Sequence, residues 1–121
     1  MLIALAWLAL AMVHAPPALA TFSSGLRKRM YGVDGSGPLG VILIHRGVLF
    51  LAVACVSVLA AFNADARIAA MLVMSISVLG FLIAYAIARA PKRLRKIAII
   101  DAIALVPLAI VGNDVWARLS A

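Results

Sequence analysis

Six side chains able to hold charge or move a proton, His14, Tyr31, His45, Arg46, Tyr85 and Asp101, stand in or beside long apolar runs of this 121-residue chain. An imidazole can carry a proton or ligate a metal, a guanidinium can hold an anion, a carboxylate can pair with a cation, and a phenol can donate. Arg46 is the most informative of them. With His45 it lies inside LGVILIHRGVLFLAVACVSVLAAF, residues 39–62, a run long enough to cross a bilayer. An ionised Arg or Asp at such a depth costs roughly 2 to 3 kcal/mol or more when alone, so each is expected to face other helices and find a partner.

Depth brings these residues together. Counting about 1.5 Å of rise per residue from the basic flanks, Arg46 lies roughly 10 Å in from Leu39, Asp101 roughly 7 Å in from Lys96, and His14 roughly 12 Å in from Phe22. Tyr85 is on the same side and shallower, and Tyr31 is expected at the interface. Arg46 and Asp101 are the expected ion pair. Two readings follow: a structural clamp between two helices with core histidines beside it, or a site that binds a ligand. His45 and Arg46 are adjacent and hence about 100° apart on a helix, so at most one of them points at the bundle axis.

The elements that must position these residues are four apolar runs, at about 1–22, 39–62, 68–88 and 97–113. With 67% apolar and 12% charged residues, the composition lies outside the soluble class. The expected fold is all-α, a single integral membrane domain built as a four-helix up-and-down bundle. The first run ends in Ala18-Leu19-Ala20, which resembles a signal peptidase site. It lacks a basic segment before it and is long for a signal peptide, so a retained transmembrane helix is expected, bent or ended by Pro16-Pro17. Residues 23–38, rich in glycine and basic side chains, are expected to form a loop, and 89–96 a second loop. Residues 63–67 are expected to make a tight helical hairpin.

Topology follows from the basic residues. Eight of the eleven, Arg27, Lys28, Arg29, Arg89, Lys92, Arg93, Arg95 and Lys96, fall in the two loops on one side. The positive-inside rule makes that side cytoplasmic and places both termini on the periplasmic side of a bacterial inner membrane. The net charge of +7 therefore reports orientation and not a nucleic-acid surface, which would spread cations over a solvated face. The partners expected are the lipid bilayer, a small lipid-soluble ligand, and a membrane-protein partner or a second copy of the chain. Small residues at helical spacing, Gly80, Ala84 and Ala88, then Gly47, Ala54 and Ala61, then Ala98 and Ala102, suit close helix packing.

Several chemistries can be weighed on residue types alone. Cys55 is the only cysteine, which excludes an intrachain disulfide and a C-x-x-C redox pair; it reads as a packed apolar residue. Two histidines and no glutamate make a poor zinc set, so no metal site is expected. His14 and His45 on neighbouring helices suggest axial ligands of a b-type haem. The His, Arg, Asp and Tyr group suggests instead a proton relay or acid/base site for a quinone-like substrate. No cofactor and no catalytic residue is assigned.

The segments Met30-Tyr31-Gly32-Val33, His45-Arg46-Gly47-Val48-Leu49-Phe50 and Ile99-Ile100-Asp101-Ala102 resemble the pattern of a family of small four-helix bacterial membrane proteins, loosely DoxX-like, without an assigned biochemical role. The resemblance implies that Tyr31, Gly32, His45, Arg46 and Asp101 are marked positions. Members of that family sometimes carry the label phosphopantetheine adenylyltransferase. Those enzymes are soluble α/β nucleotide binders with a His-x-Gly-His signature, and this chain has neither that motif nor a glycine-rich loop following a strand. Its segment GVDGSGPLG leads into a transmembrane run and reads as a turn. A small-ligand-binding membrane protein and an accessory subunit of a larger complex are the two functions left standing.

Overall fold

The computed structural model describes residues 1–32 and 36–121. The described residues form five α-helices and no strand: α1 (Leu2–Leu19), α2 (Ser24–Tyr31), α3 (Gly37–Phe62), α4 (Arg67–Ile87) and α5 (Arg95–Leu119). Three spans, Leu2–Leu19, Gly37–Phe62 and Ala64–Ile87, are long and apolar enough to cross a membrane. The turn expected across 32–38 lies partly outside the described residues; α3 begins at Gly37, with Pro38 in its first turn, where a missing donor costs nothing.

The largest departure from expectation is α2, which occupies most of what reads as a loop. Ser23 caps it, its side chain accepting from the Leu26 N–H at 3.2 Å. Gly32 ends it in the left-handed region (φ +72°), its N–H reaching the Lys28 carbonyl at 2.9 Å. Pro16 and Pro17 do not stop α1, which runs on to Leu19. They fall in its last turn, where their missing donors release the carbonyls of Met12 and Val13. The expected hairpin after α3 is a 3₁₀ turn, Ala64–Ala66, opened by Asn63, whose side chain accepts from the Asp65 N–H. α4 closes through Arg89 (φ +60°) and Ala90 (φ +53°), and α5 extends past the expected end at 113 to Leu119.

The four long helices contact one another in a ring: α1 packs on α3 and α5, and α4 packs on α3 and α5. Trp7 and Leu10, Ala60 and Ala61, Met74 and Val78, and Leu108 and Val111 fill the apolar core between them. Outward faces carry exposed large apolar side chains, Ile42, Leu72, Ile76 and Ile103 among them, the inverse of a soluble protein. Small residues divide by what they meet. A side chain at Gly47 would overlap Thr21 Oγ1 and come within 3.0 Å of the Pro17 carbonyl, and one at Gly112 would lie 2.9 Å from Met71 Cε. By contrast Gly80 has nothing within 4 Å, and with Ala84 and Ala88 it is exposed, so that stripe does not pack within the ring.

Charged residues brace both ends. Arg27 on α2 is buried and donates from one guanidinium nitrogen to the carbonyls of Ala20 (2.8 Å) and Thr21 (2.9 Å), satisfying the C-terminal end of α1. At the opposite end Arg67 donates to the Ala60 carbonyl and pairs with Asp114 at 3.1 Å, which Arg118 also reaches at 3.1 Å. The end of α3, the start of α4 and the end of α5 are thereby tied.

Candidate functional site

Towards the end of the ring that carries α2, the core opens into a cavity of about 50 Å³ whose wall is largely apolar but includes four side chains able to hold charge or hydrogen-bond. Four helices wall it. α1 supplies His14 and the Pro16-Pro17 pair, α2 supplies Met30 and Tyr31, α3 supplies Arg46 and Phe50, and α5 supplies Ile97, Ile100 and Asp101. Four of the six residues singled out in the sequence, His14, Tyr31, Arg46 and Asp101, thus share one cavity. Its volume suits a few waters or one small polar group.

Arg46 and Asp101 line this cavity together, but among the described residues no ion pair joins them. The guanidinium lies instead among three rings, 5.2 Å from the centroid of Phe50, 5.7 Å from Tyr31 and 5.9 Å from Phe81. Ring quadrupoles attract a cation by about 0.5 to 2 kcal/mol each, more as water is excluded, so the charge is held by aromatic faces without a touching carboxylate. Its Nε is buried and has no hydrogen-bond partner. The donors of Arg46 and the acceptors of Asp101 therefore remain available to whatever enters between them.

His14 is 2% exposed and fully engaged. Its Nδ1 lies 2.9 Å from the Leu10 carbonyl, which can only accept, and its Nε2 lies 2.9 Å from Ser77 Oγ on α4. In the neutral imidazole the carbonyl fixes the proton on Nδ1, and the Ser77 hydroxyl donates to Nε2. The ring also packs on Phe50, with centroids 5.5 Å apart. Gly47 belongs to the architecture of the site: without a side chain it lets α3 approach Pro17 closely and sets the position of Arg46, one residue before it.

Two of the singled-out residues lie elsewhere. His45 is exposed and does not line the cavity, which resolves the rotation of α3 in favour of Arg46. Tyr85 stacks on Phe81, with centroids 6.1 Å apart, and stands behind the ring that faces Arg46. The haem arrangement finds no matching donors, since both nitrogens of His14 are committed and His45 faces outward. Among the described residues no cluster of three metal-ligating side chains occurs. Cys55 is exposed and not packed inside.

Four contributors went unrecognised in the sequence. Ser77 reads there as a packing hydroxyl but orients His14. Arg27 reads as one of a basic run but caps α1. Phe50 and Phe81 are simply members of apolar runs there but flank a guanidinium. Only the aromatic at Phe50, four residues after Arg46 and so one helical turn away, carried a signal.

A second opening, of about 220 Å³ between α3 and α4, shares Arg46 and Phe50 with the cavity and reaches Ser77. Arg46 therefore stands at the junction of two spaces. No protein-family model matches this chain, and no curated protein or solved structure matches it.

Proposed function

We propose that this chain is a multi-pass protein of the bacterial inner membrane that binds a small molecule, or the polar end of a lipid-soluble one, in the cavity formed by His14, Tyr31, Arg46 and Asp101. The observation that carries this reading is the separation of Arg46 from Asp101. Opposite charges serving as a clamp would touch, whereas here they line a shared space without pairing. An accessory subunit using the two residues only to fix helix register would be expected to pack them against each other. Arg46 would hold an anionic or carbonyl oxygen of the ligand, Asp101 would accept from a donor, and the phenol of Tyr31 would add a hydrogen bond.

In this reading α5 is the fourth span. Between Lys96 and Asn113 it carries Asp101 as its only charge, and 97–113 covers about 25 Å at 1.5 Å per residue, close to a hydrocarbon core. A carboxylate that faces such a cavity does not oppose insertion as a lipid-facing one would. Four spans form an up-and-down bundle with both termini periplasmic and the cavity near the cytoplasmic surface, where the basic residues gather.

The test is mass spectrometry of organic and aqueous extracts from the purified full chain, compared with Arg46→Gln and Asp101→Asn. A small molecule retained by the wild type and lost from both variants, at unchanged helix content, is the expected result. Identical extracts from all three proteins would sink the binding reading.

A further inference from the structure

The cavity is one station on a longer seam between α1 and α5. At its basic end it shares Pro16, Met30, Ile97 and Ile100 with a cleft of about 520 Å³ to which Arg29, Lys92, Arg93 and Lys96 contribute. At its other end it shares Val13 with an open groove of about 460 Å³ along the two helices, walled by apolar residues such as Leu5, Ala9, Ile103 and Val106. A basic cleft, a small cavity that holds Arg46 and Asp101, and an apolar groove follow one another along a single track.

The basic cleft is electrostatically unusual. Lys92, Arg93 and Lys96 crowd the start of α5, the positive end of its dipole, and the first turn of that helix has no acidic residue. Cations are favoured at helix C-termini, not there. No carboxylate among the described residues lines the cleft. An anion placed in it would meet four cations and a helix N-terminus at once. The groove supplies the second requirement, since from Ile103 to Ile110 it follows α5 for about 10 Å, a large part of the roughly 15 Å of hydrocarbon in one leaflet.

Resting on the reading of the cavity as a binding site, we infer that the seam holds an anionic phospholipid. Its phosphate lies among Arg29, Lys92, Arg93 and Lys96, its ester region beside the cavity mouth, and one acyl chain in the α1/α5 groove. The long basic stems reach the headgroup while their methylenes cover apolar surface. Free phosphate would satisfy the cleft but would have no use for the groove.

Native mass spectrometry of the full chain in maltoside detergent, titrated with dioleoyl phosphatidylglycerol, dioleoyl phosphatidylcholine or inorganic phosphate, tests this. The wild type should retain the anionic lipid roughly fivefold or more over the zwitterionic one, as expected for several cations near one headgroup. Inorganic phosphate should not displace it. The double substitution Lys92→Gln and Lys96→Gln should bring the two lipids to parity, while Arg27, Lys28, Arg29, Arg89, Arg93 and Arg95 preserve the topology. Val106→Trp, which fills the groove, should lower retention of both. Equal retention of the two lipids by the wild type, displacement by inorganic phosphate, an unchanged preference in the double variant, or undiminished retention in Val106→Trp would overturn the inference. If the lipid preference fails while the Arg46-dependent ligand persists in the extracts, only the lipid assignment falls; if neither is found, the binding reading falls with it.

Discussion

Arg46 on α3 and Asp101 on α5 line the same cavity, yet the guanidinium is held by the faces of Tyr31, Phe50 and Phe81 and makes no ion pair with the carboxylate. An arginine steadied by rings keeps its donors for another partner. The proposed binding role needs that property and a clamp does not, which leads to a direct stability measurement.

Asp101→Asn should cost less than about 1.5 kcal/mol in detergent-solubilised protein, against about 3–5 kcal/mol for removing one partner of a touching buried pair. Thermal melting read by circular dichroism measures it. A loss in the upper range would favour the clamp over the binding site.

Gly47→Ala places a methyl group against Thr21 and within 3.0 Å of the Pro17 carbonyl. Overpacking of this kind costs about 1–3 kcal/mol. Because the closest obstacle is the Thr21 side chain, Thr21→Ala in the same protein should recover part of the loss, whereas the Pro17 carbonyl cannot yield. A double-mutant cycle on melting temperature would detect the coupling; strictly additive effects would place the conflict elsewhere.

Arg27→Ala removes both hydrogen bonds to the end of α1 and leaves the Ala20 and Thr21 carbonyls without that donor. A cost of about 1–3 kcal/mol is expected, together with faster amide exchange over residues 20–23 than in Arg29→Ala, whose side chain is exposed. Equal exchange in the two variants would deny Arg27 its capping role.

Burial pushes the Tyr31 phenol above its ordinary value near 10, and the nearby Arg46 charge pulls it the other way. The unfolded chain therefore releases this proton at lower pH than the folded protein does. The contribution of the group is fully present below about pH 10 and declines as the pH rises through the folded value. Tyr31→Phe should flatten the fall in melting temperature above about pH 10. A slope identical to that of the wild type would show that the phenol is not buried against the cavity.

Of the helical plan, the parts governed by one-dimensional chemistry were legible. The runs at 39–62 and 68–88 appear as α3 (Gly37–Phe62) and α4 (Arg67–Ile87), displaced by a residue or two, because membrane-length apolarity leaves a backbone few alternatives to the helix. α2 was not read from the sequence, where glycine and charge content pointed to a loop; its Ser23 cap and Gly32 stop are seen only in the structure. What stabilises so short a helix is tertiary: Arg27 turns inward to the end of α1.

The sequence by itself determined that polar side chains on several helices lie at one depth, since rise per residue and the basic flanks set that level. Which of them meet was decided only by the rotation of each helix about its axis. That rotation depends on contacts between helices: Gly47 against Pro17 and Thr21 turns α3 so that Arg46 faces the cavity and His45 faces out. The same packing placed Phe50 and Phe81 around the guanidinium, where an ion pair with Asp101 was expected. Sequence spacing specifies height along a helix, and complementary surfaces specify direction.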